Sequence, residues 1–162
     1  MQPFRNYAFE EKVGVRMSQV AGAGYGLFAK VDIGSGDRVC LYTGKCTKSA
    51  LGNEGGKYTL SCQWFNDGSS EWEQWHIDSY EQMNAAGRFI NDARNTQYTN
   101  NCTWDRNGLS NEPHAVVGKY YLGVYATRDI MQGEELFMSY GDEYWIWFED
   151  TLRGQLYDRA NF

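Results

Sequence analysis

The sequence predicts one mostly β domain with short helices and many loops. Three observations predict it. One stretch of the chain occurs twice in strand–turn–strand form, other segments read as short strands bounded by turn residues, and the helical signals are brief. The length of 162 residues suits a single domain. At this size roughly 70% of the unfolded surface can be buried, enough for a self-sufficient core. Only two prolines, Pro3 and Pro113, and 16% aromatic residues exclude a disordered chain or a linker array.

The first strand is expected over residues 13–18, and the repeat follows it. Residues 26–44, GLFAKVDIGSGDRVCLYTG, lie beside residues 123–141, GVYATRDIMQGEELFMSYG, at a constant offset of 97 and without a gap. Identities fall at Gly26/Gly123, Ala29/Ala126, Asp32/Asp129, Ile33/Ile130, Gly36/Gly133 and Gly44/Gly141. The Asp-Ile pair opens each turn, and Gly36 and Gly133 supply a positive φ. Two copies are too few for a solenoid, so the expectation is a hairpin-like unit used twice. Further strands are expected over 58–62, 75–78 and 102–105, with a hairpin over 115–125 turning at Gly118-Lys119. Ser79 caps a short helix over 80–86, with Gln82 completing a capping box. Asp142 caps a turn or two through Phe148, with Tyr144, Trp147 and Phe148 on one face.

Charge narrows the function. A net charge of −6 argues against an electrostatic nucleic-acid binder, which needs a basic face. No apolar run reaches the ~18 residues of a membrane-spanning helix, so no membrane role is expected. Met1 to Arg16 is polar and charged throughout, unlike a secretory leader, so an intracellular chain is expected. Residues 63–87 hold Asp67, Glu71, Glu73, Asp78 and Glu81 without a Lys or Arg. Residues 129–152 do the same with Asp129, Glu134, Glu135, Asp142, Glu143, Glu149 and Asp150. Aromatics interleave with both stretches: Trp64, Phe65, Trp72 and Trp75, then Tyr140, Tyr144, Trp145, Trp147 and Phe148. One reading is a solvated acidic face beside core aromatics. The other is a groove for a cationic ligand, steered by the acids and attracted by the rings.

Cys40, Cys46, Cys62 and Cys102 form no C-x-x-C pair, so no metal site is expected and the thiols read as reduced. His76 and His114 lie far apart and read as surface or packing residues.

Three motifs stand in order: Ala23-Gly24-Tyr25-Gly26-Leu27-Phe28-Ala29; then Gly87-Arg88-Phe89-Ile90-Asn91-Asp92, closing at Asn100-Asn101-Cys102; then Gly133-Glu134-Glu135-Leu136-Phe137-Met138-Ser139-Tyr140-Gly141-Asp142. With Leu41-Tyr42-Thr43-Gly44 between the first two, the chain resembles a SET domain, the protein-lysine methyltransferase family that uses S-adenosylmethionine. The resemblance covers about residues 13–145 and extends to the minimal, viral-type members that lack zinc-binding flanks. It implies small curled β-sheets, short helices and a C-terminal pseudoknot in which the third motif threads under a loop near the second. A single domain over 1–162 is expected. Its variable, substrate-facing insertion would span about 51–78 and its closing segment about 142–162.

The chemistry implied is an in-line displacement, from a sulfonium to an amine. The lysine must arrive neutral although its free pKa is about 10.4. An apolar channel lowers that pKa by desolvation, and a nearby sulfonium adds to the effect. Neither a metal nor a covalent nucleophile is needed. By the resemblance, Tyr140 is the catalytic tyrosine, its hydroxyl near the methyl and the amine, and also borders the cofactor. Gly24, Tyr25 and Gly26 form the cofactor loop. Asn91 and Asp92 match the family's Asn-His pair, with Asp92 departing from it. Arg88 is a partner for the cofactor carboxylate, and Trp145 is a stacking surface for the adenine. Tyr42, Trp104 and Met138 line the lysine channel. Met138 carries no hydroxyl to hold a water, which favours more than one methyl transfer.

The resulting expectation is an S-adenosylmethionine-dependent protein-lysine methyltransferase that leaves S-adenosylhomocysteine. Its partner would be a basic peptide, with a histone tail the leading candidate and the nucleus then its location. The rival readings are an inactive SET-like module that only binds lysine-containing tails, and an acidic β scaffold without a cofactor.

Overall fold

The computed structural model describes residues 10–48, 59–79, 86–105, 121–142, 144–146 and 149. The strands are β1 (Val13–Met17), β2 (Tyr25–Ala29), β3 (Arg38–Thr43), β4 (Lys45–Lys48), β5 (Thr59–Asn66), β6 (Glu71–Asp78), β7 (Cys102–Trp104), β8 (Tyr121–Ala126) and β9 (Glu135–Leu136). A 3-10 helix spans Ala86–Phe89. Three small antiparallel sheets result, ordered β1-β2-β9, β3-β8-β7 and β4-β6-β5. The fold is mostly β, as the sequence predicts. One buried cluster joins the sheets through Val13, Leu27, Val39, Ile77, Leu122 and Leu136. In β8 the burial alternates with the two-residue period of a half-covered strand, placing Leu122, Val124 and Ala126 inside.

The repeat is real, but it is not a pair of hairpins. The two strands of each copy lie in different sheets. β2 of the first copy pairs with β9 of the second, and β3 of the first pairs with β8 of the second. Equivalent residues of the two copies bond to each other. Ile33 and Ile130 exchange both backbone hydrogen bonds at 2.8 Å. Gly36 N donates to Ala126 O and Gly133 N to Ala29 O, both at 2.8 Å. Ala126 N donates to Asp37 O and Ala29 N to Glu134 O, both at 2.9 Å. Even the side chains reciprocate: Asp129 Oδ1 accepts from Ser35 N at 2.9 Å, and Asp32 Oδ1 from Gln132 N at 2.8 Å. The turn groups that would close a hairpin are thus committed across a local two-fold axis. Four of the identical pairs, Ala29/Ala126, Asp32/Asp129, Ile33/Ile130 and Gly36/Gly133, make these contacts, the two turn glycines with φ of 85° and 91°.

The second copy ends differently. After Leu136 the chain leaves its sheet and passes between two separate segments. Met138 N donates to Asn91 O on one side, while Asn101 N and Cys102 N both donate to Phe137 O on the other, all at 2.9 Å. Asn101 secures the crossing with its side chain, accepting from Phe137 N at 2.8 Å and donating to Glu135 O at 3.0 Å. The third motif therefore threads the loop that closes the second. This is the pseudoknot that the resemblance implies.

β5 and β6 run longer than the expected 58–62 and 75–78. Edge-on ring pairs carry the hairpin outward: Trp64 on Trp75 at 6.2 Å and Phe65 on Trp72 at 5.4 Å between centroids. The helix expected over 80–86 lies outside the described residues until Ala86. So do Gly118-Lys119 of the expected 115–125 hairpin, and His114, Trp147 and Phe148. A helical turn does begin at Asp142 and includes Tyr144, Trp145 and Ile146.

Candidate active site

The threaded segment delivers Tyr140 to the point where the motifs meet. Its backbone N–H donates to Asp92 Oδ2 at 2.9 Å, and its hydroxyl donates to Ile90 O at 2.6 Å. A phenol that gives its proton to a carbonyl keeps its oxygen lone pairs for accepting. Tyr144 meets the Tyr140 ring edge-on at 4.8 Å, and Trp145 stacks nearly parallel to it at 6.1 Å and 14°.

A cavity of about 30 Å³ opens beside this ring. Tyr42 from β3, Leu60 from β5, Ile90, Met138, Tyr140 and Tyr144 give it an aliphatic and aromatic wall, to which Arg88 and Thr59 add polar groups. Gly87 sets one side. A Cβ there would come within 2.6 Å of Leu41 O, so the 3-10 helix lies hard against β3 and Ile90 reaches the cavity. Two of the three expected channel residues, Tyr42 and Met138, thus share a cavity with Tyr140. Trp104 does not line it. Its indole donates to Ser61 O at 3.2 Å and its ring packs on the core.

The loop between β1 and β2 presents bare backbone beside the pseudoknot. Ser18 N donates to Gly24 O at 2.8 Å and closes the loop. Gly22 and Gly24 both have positive φ, 78° and 75°, and a Cβ on either would meet nothing within 4 Å. Bare backbone therefore faces open space. The Asn91 amide ties this loop to the pseudoknot, donating to Tyr25 O at 3.0 Å. The Tyr25 ring itself is 56% exposed.

Glu135, which the sequence reading names only among the acids and in the third motif without a role of its own, is the hidden centre of this loop. It is 3% exposed. Its Oε1 accepts from Ser18 Oγ at 2.6 Å and from Asn91 Nδ2 at 3.4 Å, and its Oε2 from Gln19 N at 2.8 Å. Any side chain at Gly26 would collide with Glu135 Oε1, which explains the glycine there without appeal to a positive φ. An acid beside a second acid in a sequence reads as surface. Only the burial of β9 distinguishes Glu135 from the half-exposed Glu134, which pairs with Arg128 at 3.2 Å.

Two of the other described acids are paired at the surface. Asp142 bridges Arg94 at 2.7 Å and Glu73 bridges Lys48 at 2.8 Å. The bond to Lys48 holds the Glu73 carboxyl below the usual carboxylate range. Asp67 and Glu71 lie exposed at the open end of the β5–β6 hairpin, beside Phe65 and Trp72. Burial pushes the Cys62 and Cys102 thiols up to about 12 and Cys46 to about 11. None is poised as a nucleophile. His76 is buried, with Nδ1 3.1 Å from Ser61 Oγ. Among the described residues no group of three or more His, Cys, Asp or Glu is arranged to hold a metal ion. Nor is any helix among them long and apolar enough to cross a membrane.

The threaded segment, the cavity beside it, the glycine loop and the motifs that build them define a class. The SET domain family model matches residues 24–141, and the chain belongs to the SET domain family. It is 28% identical over 139 residues to N-lysine methyltransferase KMT5A-B of Xenopus laevis, covering 80% of this chain and 36% of that protein. It is 29% identical over 147 residues to Variant-silencing SET domain-containing protein of Plasmodium falciparum (isolate 3D7), covering 86% of this chain and 5% of that protein. The chain therefore spans about a third or less of these relatives' lengths. Among solved structures, ctPRC2 in complex with H3K27me3 is similar at 25% identity and a TM-score of 0.52, covering 80% of this chain and 14% of that one.

Proposed function

We propose that this chain transfers methyl groups from S-adenosylmethionine to the side-chain amine of a lysine in a basic protein tail, with a histone tail the leading substrate. The observation that carries the reading is the position of Tyr140. Its ring borders the cavity lined by Tyr42, Ile90 and Met138, and its hydroxyl bonds to Ile90 O, one residue from the Asn91 that holds the glycine loop.

The residues fit both ligands. The open backbone at Gly22 and Gly24 accommodates close approach by the methionine end of the cofactor, which supplies the methyl group when bound. The cavity between Tyr42, Met138 and Tyr140 suits a slim side chain that has shed its water. Such a wall disfavours the ammonium form and so helps a lysine reach the site neutral. The Tyr140 oxygen, with its proton directed at Ile90, accepts a hydrogen bond from the amine and aims the nitrogen lone pair. Alignment of this kind is worth roughly 7–11 kcal/mol of barrier in well-oriented systems. Met138 is 1% exposed and lines the cavity; it is flexible and carries no hydroxyl to hold a water, which favours more than one methyl transfer. A histone substrate would place the chain in the nucleus.

The test is transfer of labelled methyl from S-adenosylmethionine to a core-histone mixture, followed by mass spectrometry of the modified lysine. Incorporation into lysine, with dimethyl or trimethyl product under excess cofactor, is expected. Tail binding without any incorporation would replace the enzyme with an inactive tail-binding module. A melting temperature unmoved by S-adenosylhomocysteine would remove the cofactor as well.

A further inference from the structure

The family pattern pairs Asn with His at positions 91–92, and here the second residue is Asp92. Its side chain is not turned toward the glycine loop. Asp92 Oδ2 accepts from Tyr140 N and from Trp145 Nε1, both at 2.9 Å. Asp92 Oδ1 accepts from Arg94 N at 2.9 Å and from Asn100 Nδ2 at 3.3 Å. Four donors from four residues thus converge on one side chain that is 9% exposed. Only an ionised carboxylate has about four lone-pair sites and no donor of its own.

We propose that Asp92 is a positioning residue for methyl transfer: it ties the Tyr140 backbone and the Trp145 indole to the 91–102 loop and so sets the Tyr140 hydroxyl at the cavity. The inference rests on the function proposed above. Three points carry it. The two donors on Oδ2 belong to the two rings that stack on each other, so one oxygen fixes both ends of the stack. The hydroxyl end of Tyr140 is held separately, by Ile90 O, and with both ends tied the ring cannot pivot. Arg94, whose N–H bonds to Oδ1, also reaches the closing segment through its bridge to Asp142 and lies 5.9 Å from the Trp145 ring. Asp92 thereby does for this chain a task that a neutral histidine, with a single acceptor nitrogen, cannot do. An asparagine fails for a related reason. Whichever way its amide is turned, an NH2 group faces two N–H donors.

The experiment compares the full chain with Asp92→His, Asp92→Asn and Trp145→Phe. It reads kcat and KM for S-adenosylmethionine on core histones, the melting shift with S-adenosylhomocysteine, and the Trp145 indole N–H resonance. Both Asp92 variants are expected to lower kcat at least about tenfold, with KM for the cofactor within about threefold and the melting shift retained. Their Trp145 resonance should move. Trp145→Phe removes one donor and keeps a ring, and is expected to lower kcat severalfold at unchanged KM. Should the Asp92 variants fail to fold, Trp145→Phe decides. Wild-type kcat in Asp92→His overturns the proposal. So does a loss confined to KM in any variant, which would make this side chain a cofactor contact. If the wild-type chain transfers no methyl, the enzyme reading falls separately. The tether is then judged on the indole resonance, and an unchanged signal in Asp92→His overturns it.

Discussion

In the first copy of the repeat, β3 runs on as an ordinary strand to Thr43. In the second, β9 ends at Leu136 and the chain turns into the thread that carries Tyr140. Up to that point the copies match bond for bond across the Ile33–Ile130 bridge. Beyond it, equivalent positions take opposite roles. Arg38 is an exposed cation, whereas its counterpart Glu135 is a buried carboxylate that holds the glycine loop. Leu41 N bonds to the Glu10 carboxylate at 3.0 Å, whereas Met138 N bonds to the Asn91 carbonyl. Tyr42 falls opposite Ser139, and Thr43 opposite Tyr140. A shared turn builds the frame, and the chemistry collects where the copies part.

The largest break in this symmetry should be functional. Tyr42 and Tyr140 both line the cavity, each near the end of its copy. The Tyr140 hydroxyl is fixed to the second motif, at Ile90 O. Tyr140→Phe is expected to lower kcat at least about a hundredfold while S-adenosylhomocysteine still raises the melting temperature. Tyr42→Phe keeps its ring and is expected to cost at least about tenfold less. Steady-state kinetics on the two variants checks the order. A Tyr42→Phe loss exceeding that of Tyr140→Phe would reverse the assignment of roles.

Next comes the charged pair. Glu135→Ala strands the Ser18 hydroxyl, the Gln19 amide and the Asn91 side chain around an empty, buried space. The expected cost is about 3 kcal/mol of stability, together with loss of the melting shift caused by S-adenosylhomocysteine. Arg38→Gln, at the equivalent exposed position, should stay within about 0.5 kcal/mol. Denaturant titration of both variants makes the comparison. Equal effects would show that Glu135 is only another surface acid.

The sequence makes some of this contrast legible and conceals the rest. The 97-residue offset is visible because turn residues are chemically narrow: Asp32 and Asp129 must accept, and Gly36 and Gly133 must turn. Cross-copy pairing is invisible, since a strand–turn–strand pattern reads the same whether the strands pair locally or through a second copy. The motif residues Asn91, Tyr140 and the glycine loop can be placed by resemblance, and the thread then brings them together. Glu135 escapes because burial, not composition, gives an acid its role. The side-chain direction of Asp92 escapes because a departure from the family pattern says only what is lost. Trp104 reads as a channel aromatic until the carbonyl of Ser61 captures its indole.

The third difference titrates. Burial pushes the Glu10 carboxyl from its ordinary 4.5 up to about 7, against the pull of its bond to Leu41 N and of Arg38. A raised pKa means that the folded state holds the proton more tightly than the unfolded state. Stability from this group is therefore complete below about pH 4.5 and is lost as pH rises through about 7. The full span is worth about 3 kcal/mol. Glu10→Gln keeps an oxygen for Leu41 N and removes the titration. Its advantage over wild type should grow between pH 5 and pH 8, read as the difference in unfolding free energy. A constant difference across that range would mean that Glu10 stays charged in the fold. The second copy offers no such lever at Met138, because a carbonyl does not titrate.

The smallest effect tests the symmetry itself. Asp32 and Asp129 each accept one backbone hydrogen bond from the opposite turn, at 2.8 and 2.9 Å, and both bonds are exposed. Removing either acceptor releases its partner N–H to water rather than stranding it. Asp32→Ala and Asp129→Ala are therefore expected to cost about 0.5–1 kcal/mol each. They should agree within about 0.3 kcal/mol if the two turns are mechanically equivalent. The double variant tests whether they are also coupled. Both bonds brace one bridge, Ile33–Ile130, so either alone can still hold the turns in register. The double loss should exceed the sum of the single losses by about 0.5 kcal/mol. Strict additivity would mean that each turn stands independently, and that the two-fold contact records a shared sequence without a shared mechanical load.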